Sequence, residues 1–484
     1  MNNASLVLIA MLLLCAVFSL AGRLIVGAQA SWRAPLGWFY SFWLLGTLLL
    51  ALPIFHYSEE FSPGGFGYLM AVLTAYSIGD MVASFIHASR VRRVDHRVEK
   101  KRVIERARLE RVLFVVIVLA TLGIFLLIAN SVLGSGLGIG DRLNLENAKM
   151  VRAAQMSGDE SHIGPLFGPA TLISAMGGVA VSFVMFVQGY GNGKLSARVR
   201  FAAYTWIGVW AFAGMIMFGS RMSALFAIML PLFGYSEGRW AAGRRFQWGA
   251  VAGRTWKLLL VAPFVLALMW FSATYFLEKR VGGQDAERLL FSTHRAYLTA
   301  DAHAAVSDST TTKYFLLSLS YFSTPLPTLE FYLDLPDSRA PGPLWGEYDF
   351  PAVARWIRRF TFNDDPTAWD EARLEVFRPL SDFGYGTNVW ATLARDLVAD
   401  FGRLGAVLSF MLLGYMAQSL YLRQSRDVAP QAAILSVYLR IIVIFSGLVS
   451  VIYLPIIQWG LLAAILAQFF LRRLDTSNLI ERAR

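Results

Sequence analysis

The sequence predicts an all-α, polytopic membrane protein, and three observations carry that expectation. Hydrophobic residues make up 56% of the 484-residue chain and charged residues only 16%. With a mean hydropathy of +0.50, this is a balance that soluble globular chains of such length do not show. The apolar residues are gathered into runs close to the roughly 20 residues that a helix needs to cross the hydrocarbon core. Between the runs, the basic residues are concentrated in alternate loops.

On the length criterion eleven spans are expected, near 4–22, 36–55, 68–89, 112–133, 166–189, 201–218, 222–236, 257–277, 403–422, 432–453 and 455–471. The first has the outline of a signal peptide, with an apolar run from Leu6 to Leu20 and the small-residue pattern Ala28-Gln29-Ala30. Its opening MNNAS carries no lysine or arginine, so it reads as a retained transmembrane helix. The loop 90–111 holds ten lysines and arginines and is expected inside, because basic residues in short loops stay cytoplasmic. Counted from there, the mostly basic segments 23–35, 190–200, 237–256, 423–431 and 472–484 fall on the same side, and 56–67, with no lysine or arginine, on the other. The N-terminus is then outside and the C-terminus inside. The chain divides into a first helical bundle (1–277), a large extracytoplasmic loop (278–402) and a closing helical segment with a cytoplasmic tail (403–484).

The net charge of +11 does not point to nucleic acid. In the 90–111 run Asp95, Glu99, Glu105 and Glu110 alternate with the bases, and topology alone explains the basic excess. The run reads as a solvated cytoplasmic connector. The single cysteine, Cys15, lies in the first apolar segment, so neither a disulfide framework nor a cysteine metal site is expected. There is no GxxxxGK[ST] phosphate cradle and no GxSxG elbow, and the six histidines show no HExxH spacing. Neither a metal nor a cofactor is expected.

Four places carry chemistry. "YFLLSLSYFSTPLPTLEFYL" (Tyr314 to Leu333) is long enough to span, but Pro325 and Pro327 break it and Glu330 charges it. It reads as a re-entrant or interfacial hairpin, tolerated at membrane depth where protein covers its backbone. "DAERLLFSTHRAYLTADAHAAV" (Asp285 to Val306), read as one helix, sets Glu287, His294 and Asp301 seven residues apart on one stripe, with Arg288 and Arg295 beside it. That offers a proton acceptor next to cations; a solvated polar face is the plainer reading. In "RDLVADFGRLG", Arg395, Asp396, Asp400 and Arg403 line the entry to the ninth span, where Asp400 and Arg403 could form an i,i+3 pair. Arg440 lies in the tenth span, close enough to its cytoplasmic end to snorkel.

Arg221 poses the sharpest question, because it interrupts "MFGSRMSALFAIMLPLFGY" at a tight turn between apolar segments. A charge costs about 2.5–3.5 kcal/mol at the centre of a membrane helix and less at its edge. An anion at the outer surface would compensate it, and a lipid-linked phosphate or pyrophosphate fits.

Three stretches carry a family resemblance. "FGSRMSALFAIML" is similar to the arginine-bearing turn between two central helices of the Wzy-type oligosaccharide repeat-unit polymerases, the O-antigen polymerase family. "GPLWGEYDFPAVARWI" is similar to that family's G-x-x-(T/Y)-F-x-x-I segment. "TNVWATLARDLVADFGRLGAVLSFMLLGYMAQSLY" resembles its closing pattern of Asn, Thr, Asp-Phe-Gly, a helix and a final Gly-Tyr, and is the most specific of the three.

The resemblance implies a GT-C-like helical fold in the bacterial inner membrane and transfer of a growing glycan, at the periplasmic face, from undecaprenyl pyrophosphate to the next lipid-linked repeat unit. Such a reaction needs cations for the leaving group and one base for the acceptor hydroxyl, with no metal and no nucleotide sugar. Arg221 carries over as the pyrophosphate contact. Arg280, Arg288, Arg295, Asn388, Arg395 and Arg440 are further candidate contacts, and the base lies among His294, Asp301, Asp382 and Asp400. The partners implied are the undecaprenyl-pyrophosphate-linked oligosaccharide and the bilayer, with a chain-length regulator and a flippase beside them. Related O-antigen ligases carry His-Asn where this chain has Thr387-Asn388, which disfavours the ligase alternative. A polysaccharide transporter or flippase is the other alternative; its signature would be broken helices in matching halves of an internal repeat, and no such duplication is visible.

Overall fold

The structure is a computed structural model and describes residues 3–26, 34–57, 62–91, 102–103, 106–135, 167–190, 195–213, 221–242, 285–307, 309–334, 392–426, 430–447, 449–452, 454–471 and 474–475, with residues 344, 350, 354, 378 and 382. In chain order the elements are α1 (Asn3–Val26), α2 (Pro35–Ala51), β1 (Phe55–Tyr57), α3 (Pro63–Val91), β2 (Arg102–Val103), α4 (Arg106–Ser135), α5 (Phe167–Tyr190), α6 (Ala197–Phe212) and α7 (Arg221–Ala241). There follow α8 (Ala286–His294), β3 (Ala296–Leu298), α9 (Ala300–Val306), α10 (Thr310–Ser323), α11 (Pro325–Asp334), α12 (Leu393–Arg426), α13 (Pro430–Phe445), α14 (Pro455–Leu471) and β4 (Leu474–Asp475).

The protein is helical, and among the described residues five helices are long and apolar enough to cross a membrane: Ser5–Gly22, Gly64–Ser89, Ala107–Asn130, Pro169–Tyr190 and Leu393–Arg423. Their outward faces are apolar. Leu13, Val17, Leu20 and Leu24 on α1, Val112, Val115, Leu119 and Leu122 on α4, and Leu404, Leu408 and Leu412 on α12 are all exposed. Stripes of exposed leucine and valine at helical spacing are stable against lipid tails and unstable against water. Of the expected spans, 257–277 lies outside the described residues, five fall on these long helices, 36–55, 432–453 and 455–471 fall on shorter apolar helices, and 201–218 and 222–236 overlap α6 and α7. The span expected at 36–55 ends at Ala51. Leu52 turns extended, Pro53 offers no amide hydrogen, and the chain enters β1.

The chain forms two compact units, each discontinuous in sequence. One holds residues 1–93, 247–419 and 442–453, the other 94–246, 420–441 and 454–484. In the first, α3 and α12 pack in parallel at backbone contact. A Cβ added to Gly79 would overlap the Met411 carbonyl, and one added to Gly414 would overlap that of Tyr76. The Tyr68 hydroxyl donates to the Arg403 carbonyl at 2.8 Å, and Gln418 Nε2 to Ser84 Oγ at 2.9 Å. In the second unit α5 and α7 are likewise parallel, with Gly234 against Ser182 and Gly238 against Phe186. Apolar burial cannot drive helices together in lipid, so small residues that let backbones touch take over that role.

In the first unit, β1 pairs antiparallel with β3, Phe55 opposite Leu298 and Tyr57 opposite Ala296. Beneath the pair Phe55, Tyr57, Leu290, Ala296, Tyr314 and Leu317 form a small core. Helix starts here are written in the sequence. Asp285, Thr299 and Ser309 each accept a backbone hydrogen bond from the first turn of α8, α9 and α10, the usual capping role of short polar side chains. Thr299 is also fixed from outside, its Oγ1 donating to the Pro53 carbonyl at 2.7 Å.

Gly414→Val should therefore force α3 and α12 apart, a cost of about 1–3 kcal/mol or more, and lower the melting temperature of the purified protein in detergent. Gly67, with nothing within 4 Å of a built Cβ, is the control. Equal melting curves for Gly414→Val and Gly67→Val would refute the backbone contact.

Candidate functional site

The densest set of buried polar groups described lies where α11 meets the start of α12. Thr392 caps α12, its Oγ1 accepting from the Arg395 amide at 3.2 Å. The Leu393 amide donates to the Ser446 carbonyl at 2.8 Å, and Ser446 Oγ accepts from Trp43 Nε1 at 3.0 Å. The first turn of α12 is thus bolted to α2 and to the segment after α13. On that base Arg395 and Asp396, both 2% exposed, form a close pair: Nε to Oδ1 is 3.0 Å and Nη2 to Oδ1 2.8 Å. Asp396 also sits in the first helical turn, where the N–H groups favour a negative charge.

Asp400 is fully buried one turn further on, and helical geometry then stops. Gly402 has φ 72° and ψ 175°, a conformation essentially reserved for glycine. The expected i,i+3 pairing of Asp400 with Arg403 assumes a continuous helix, and this break removes it. Arg403 donates instead to the Leu333 carbonyl at the end of α11. Glu330, the charge that made 314–333 unsuitable as a span, is buried on α11 and accepts from the Ser62 amide. Gly65 leaves room for its carboxylate. The N–H groups at the start of α3 therefore favour the charge on Glu330. The expected break is real, with α10 ending at Ser323 and α11 starting at Pro325. Tyr332, also buried, lies within reach of the charges of Arg395, Asp396 and Asp400.

The stripe expected along 285–306 is corrected. The segment is two helices, not one, because Arg295 adopts a left-handed conformation (φ 52°) and residues 296–298 are taken up by pairing with β1. Glu287 bonds Lys313 at 2.8 Å and His303 at 3.3 Å. Asp301 is exposed at the start of α9, and Arg288 is exposed on α8. Arg295 is half-buried with its guanidinium 5.0 Å from the centre of the Phe291 ring. His294 turns fully inward, edge-on to Tyr321 at 4.4 Å, and neither ring nitrogen has a hydrogen-bond partner among the described residues. Burial pushes its pKa down to about 3. An imidazole that stays neutral and has no exposed atom is ill suited to take a proton from a sugar hydroxyl.

The snorkelling reading of Arg440 is corrected as well. Its guanidinium pairs with the buried carboxylate of Glu237 and lies 5.6 Å from the Phe233 ring centre. Glu237 is near the end of α7 and Arg221 is its first residue. At 1.5 Å per residue the two are about 24 Å apart along the helix, so Arg440 and Arg221 cannot grip one pyrophosphate. Sequence reasoning passed over Glu237; the signal was a lone acid and a lone base in two apolar runs, each in need of a partner.

Asp382 is exposed. The side chain of Arg221, and Arg280 and Asn388 entirely, lie outside the described residues. Among the described residues no group of histidine, cysteine, aspartate or glutamate has the placement of a metal site. Compared with family models, with curated proteins and with solved structures, the chain matches none.

His294 gives the site a pH signature. Its ordinary value is 6.5 and its folded value about 3, so between these the unfolded chain binds the proton and the folded one does not. Stability is present above pH 6.5 and is lost as pH falls through that window. His294→Phe should flatten the acid limb of melting temperature against pH; an unchanged limb would show that another group sets it.

Proposed function

We propose that the chain is a membrane glycosyltransferase of the oligosaccharide repeat-unit polymerase type, with eleven spans in a GT-C-like arrangement, acting at the periplasmic face of a bacterial inner membrane. One observation carries the reading. The stretch most specific in the family resemblance, 387–421, is where this apolar chain concentrates buried charge: the Arg395–Asp396 pair, Asp400 and the glycine-only turn at Gly402. Charges and strain cost stability in such a setting, and chains tolerate them chiefly where they serve a site.

The helix directions are compatible with the topology. The parallel pairs α3 with α12 and α5 with α7 must each cross in one sense, as the basic loops require. The pairing of Arg102 with Leu474 is compatible with the basic loop and the C-terminal tail lying on one side.

In the reaction, the bond between the donor's anomeric carbon and the pyrophosphate oxygen breaks. A bond forms to the acceptor hydroxyl, whose proton passes to a carboxylate. Undecaprenyl pyrophosphate leaves with the bonding electrons. Arg221 opens α7, where its charge and the free N–H groups of the helix end act together on an anion. A cation in that position is unfavourable until the anion arrives. The base is one of the two exposed carboxylates, Asp301 and Asp382. Arg395, Asp396 and Asp400 hold the wall of the site rather than touch the sugar.

The second reading, a transporter of the same lipid-linked glycan, is favoured by the helix breaks at Thr324–Pro325 and Gly402, because broken helices frame transporter sites. Envelope glycan separates the two: a null of a polymerase retains single-repeat products, and a null of a flippase loses them.

An arginine that binds a pyrophosphate does so through a planar, permanently charged fork that lysine lacks. Arg221→Lys should be strongly impaired, and Arg221→Ala should accumulate single-repeat glycan at normal protein level. A wild-type ladder from Arg221→Lys would sink the pyrophosphate contact. Of Asp301→Asn and Asp382→Asn, one should abolish polymer by about 100-fold or more; full ladders from both would remove the base assignment.

A further inference from the structure

Asp80 belongs to none of the clusters above. It lies on α3, two-thirds of the way along an apolar span, and is 5% exposed. Tyr76 and Ser84, four residues before and after, share its face, and that face is pressed on α12. Gly414 touches the Tyr76 carbonyl, and a Cβ there would come within 3.2 Å of the Asp80 amide. One turn further along α12, Gln418 Nε2 donates to Ser84 Oγ at 2.9 Å, and Ser84 Oγ donates to the Asp80 carbonyl at 3.0 Å. Asp80 and Gln418 are therefore neighbours across the contact.

Three polar atoms at this level have no hydrogen-bond partner among the described residues: Asp80 Oδ1, Gln418 Oε1 and the Tyr76 hydroxyl. An ionised carboxylate and an amide oxygen are both acceptors and cannot satisfy one another. Among the described residues no cation pairs with the carboxylate. From α2 the facing group is Tyr40, hydrogen-bonded to Ser77 at 3.0 Å. From α1 Cys15 lies within electrostatic reach of Tyr40, and from α12 the groups are Gly414 and Gln418. On α11, Glu330 faces the opposite end of α3, at Ser62.

We propose that Asp80 is a proton-binding site within the α3–α12 contact, its carboxylic acid O–H donating to Gln418 Oε1. One proton turns two facing acceptors, the Asp80 carboxylate and Gln418 Oε1, into a donor and an acceptor. A hard metal cation would take more oxygen ligands than these three side chains supply, which makes the proton the occupant. The site is independent of the glycan-transfer reading: it links the contact of two membrane helices to proton uptake, and would do so in a transferase or a transporter.

The test uses the full-length protein in lipid nanodiscs. Dicyclohexylcarbodiimide adds only to a protonated carboxyl in an apolar setting, so peptide mass mapping should find Asp80 modified at about pH 6, several-fold less so at about pH 9, and unmodified in Asp80→Asn. Sodium at constant pH and ionic strength should not protect it. In parallel, thermal stability of the wild type should fall between about pH 6 and pH 9, while Asp80→Asn, whose amide keeps a donor for Gln418, should lack that fall. Absence of modification at every pH, or identical stability profiles for the two proteins, would overturn the proposal. Protection by sodium would replace the proton with a metal cation.

Discussion

The first turn of α12 can hold Arg395 against Asp396 only because its backbone is fixed from several directions. Thr392 closes its amide end, Ser446 accepts from Leu393, and Trp43 in turn donates to Ser446. A buried ion pair recovers its desolvation cost only in good geometry, and breaking one by removing a partner costs about 3–5 kcal/mol. The pair is therefore sensitive to anything that moves α2 or the segment after α13. The same anchoring explains why the break at Gly402 is tolerated. With the first turns pinned and the later turns packed on α3 through Gly414, the change of direction must fall between them, and only glycine can supply it there.

Sequence made many of the helices legible because apolar runs approach the length a bilayer demands and several start at a proline, as at Pro35, Pro63, Pro430 and Pro455. The break inside 314–333 was readable for the same reason, from Pro325. The failures share one cause. The stripe drawn along 285–306 assumed that a helical period continues until a breaker appears, yet the segment contains none; what stops α8 is the edge of β1, contributed by residues some 240 positions earlier. A local pattern cannot reveal a strand pair made at that distance.

The charged residues show the same division. Arg395 and Asp396 are adjacent in sequence and were recognised together. Arg440 and Glu237 are about 200 residues apart; Arg440 looked like a helix-end residue, and Glu237 drew no notice until the fold joined them. Glu330 looked like an obstacle to membrane insertion, and it is the counter-charge of a helix N-terminus that begins at Pro63. In an apolar protein the sequence shows which residues need compensation, while the partner is a property of the tertiary fold.

That accounting also ranks the buried acids by what answers each. Asp396 has Arg395, Glu237 has Arg440, and Glu330 has the amide end of α3. For these three the compensating group belongs to the polypeptide, a full charge for Asp396 and Glu237 and the partial charge of a helix end for Glu330. Among the described residues Asp80 faces instead a hydroxyl, an amide and backbone already committed to its own helix, and no cation. A carboxyl in that position has to obtain its compensating charge from outside, and the smallest cation fits a contact in which two backbones already touch.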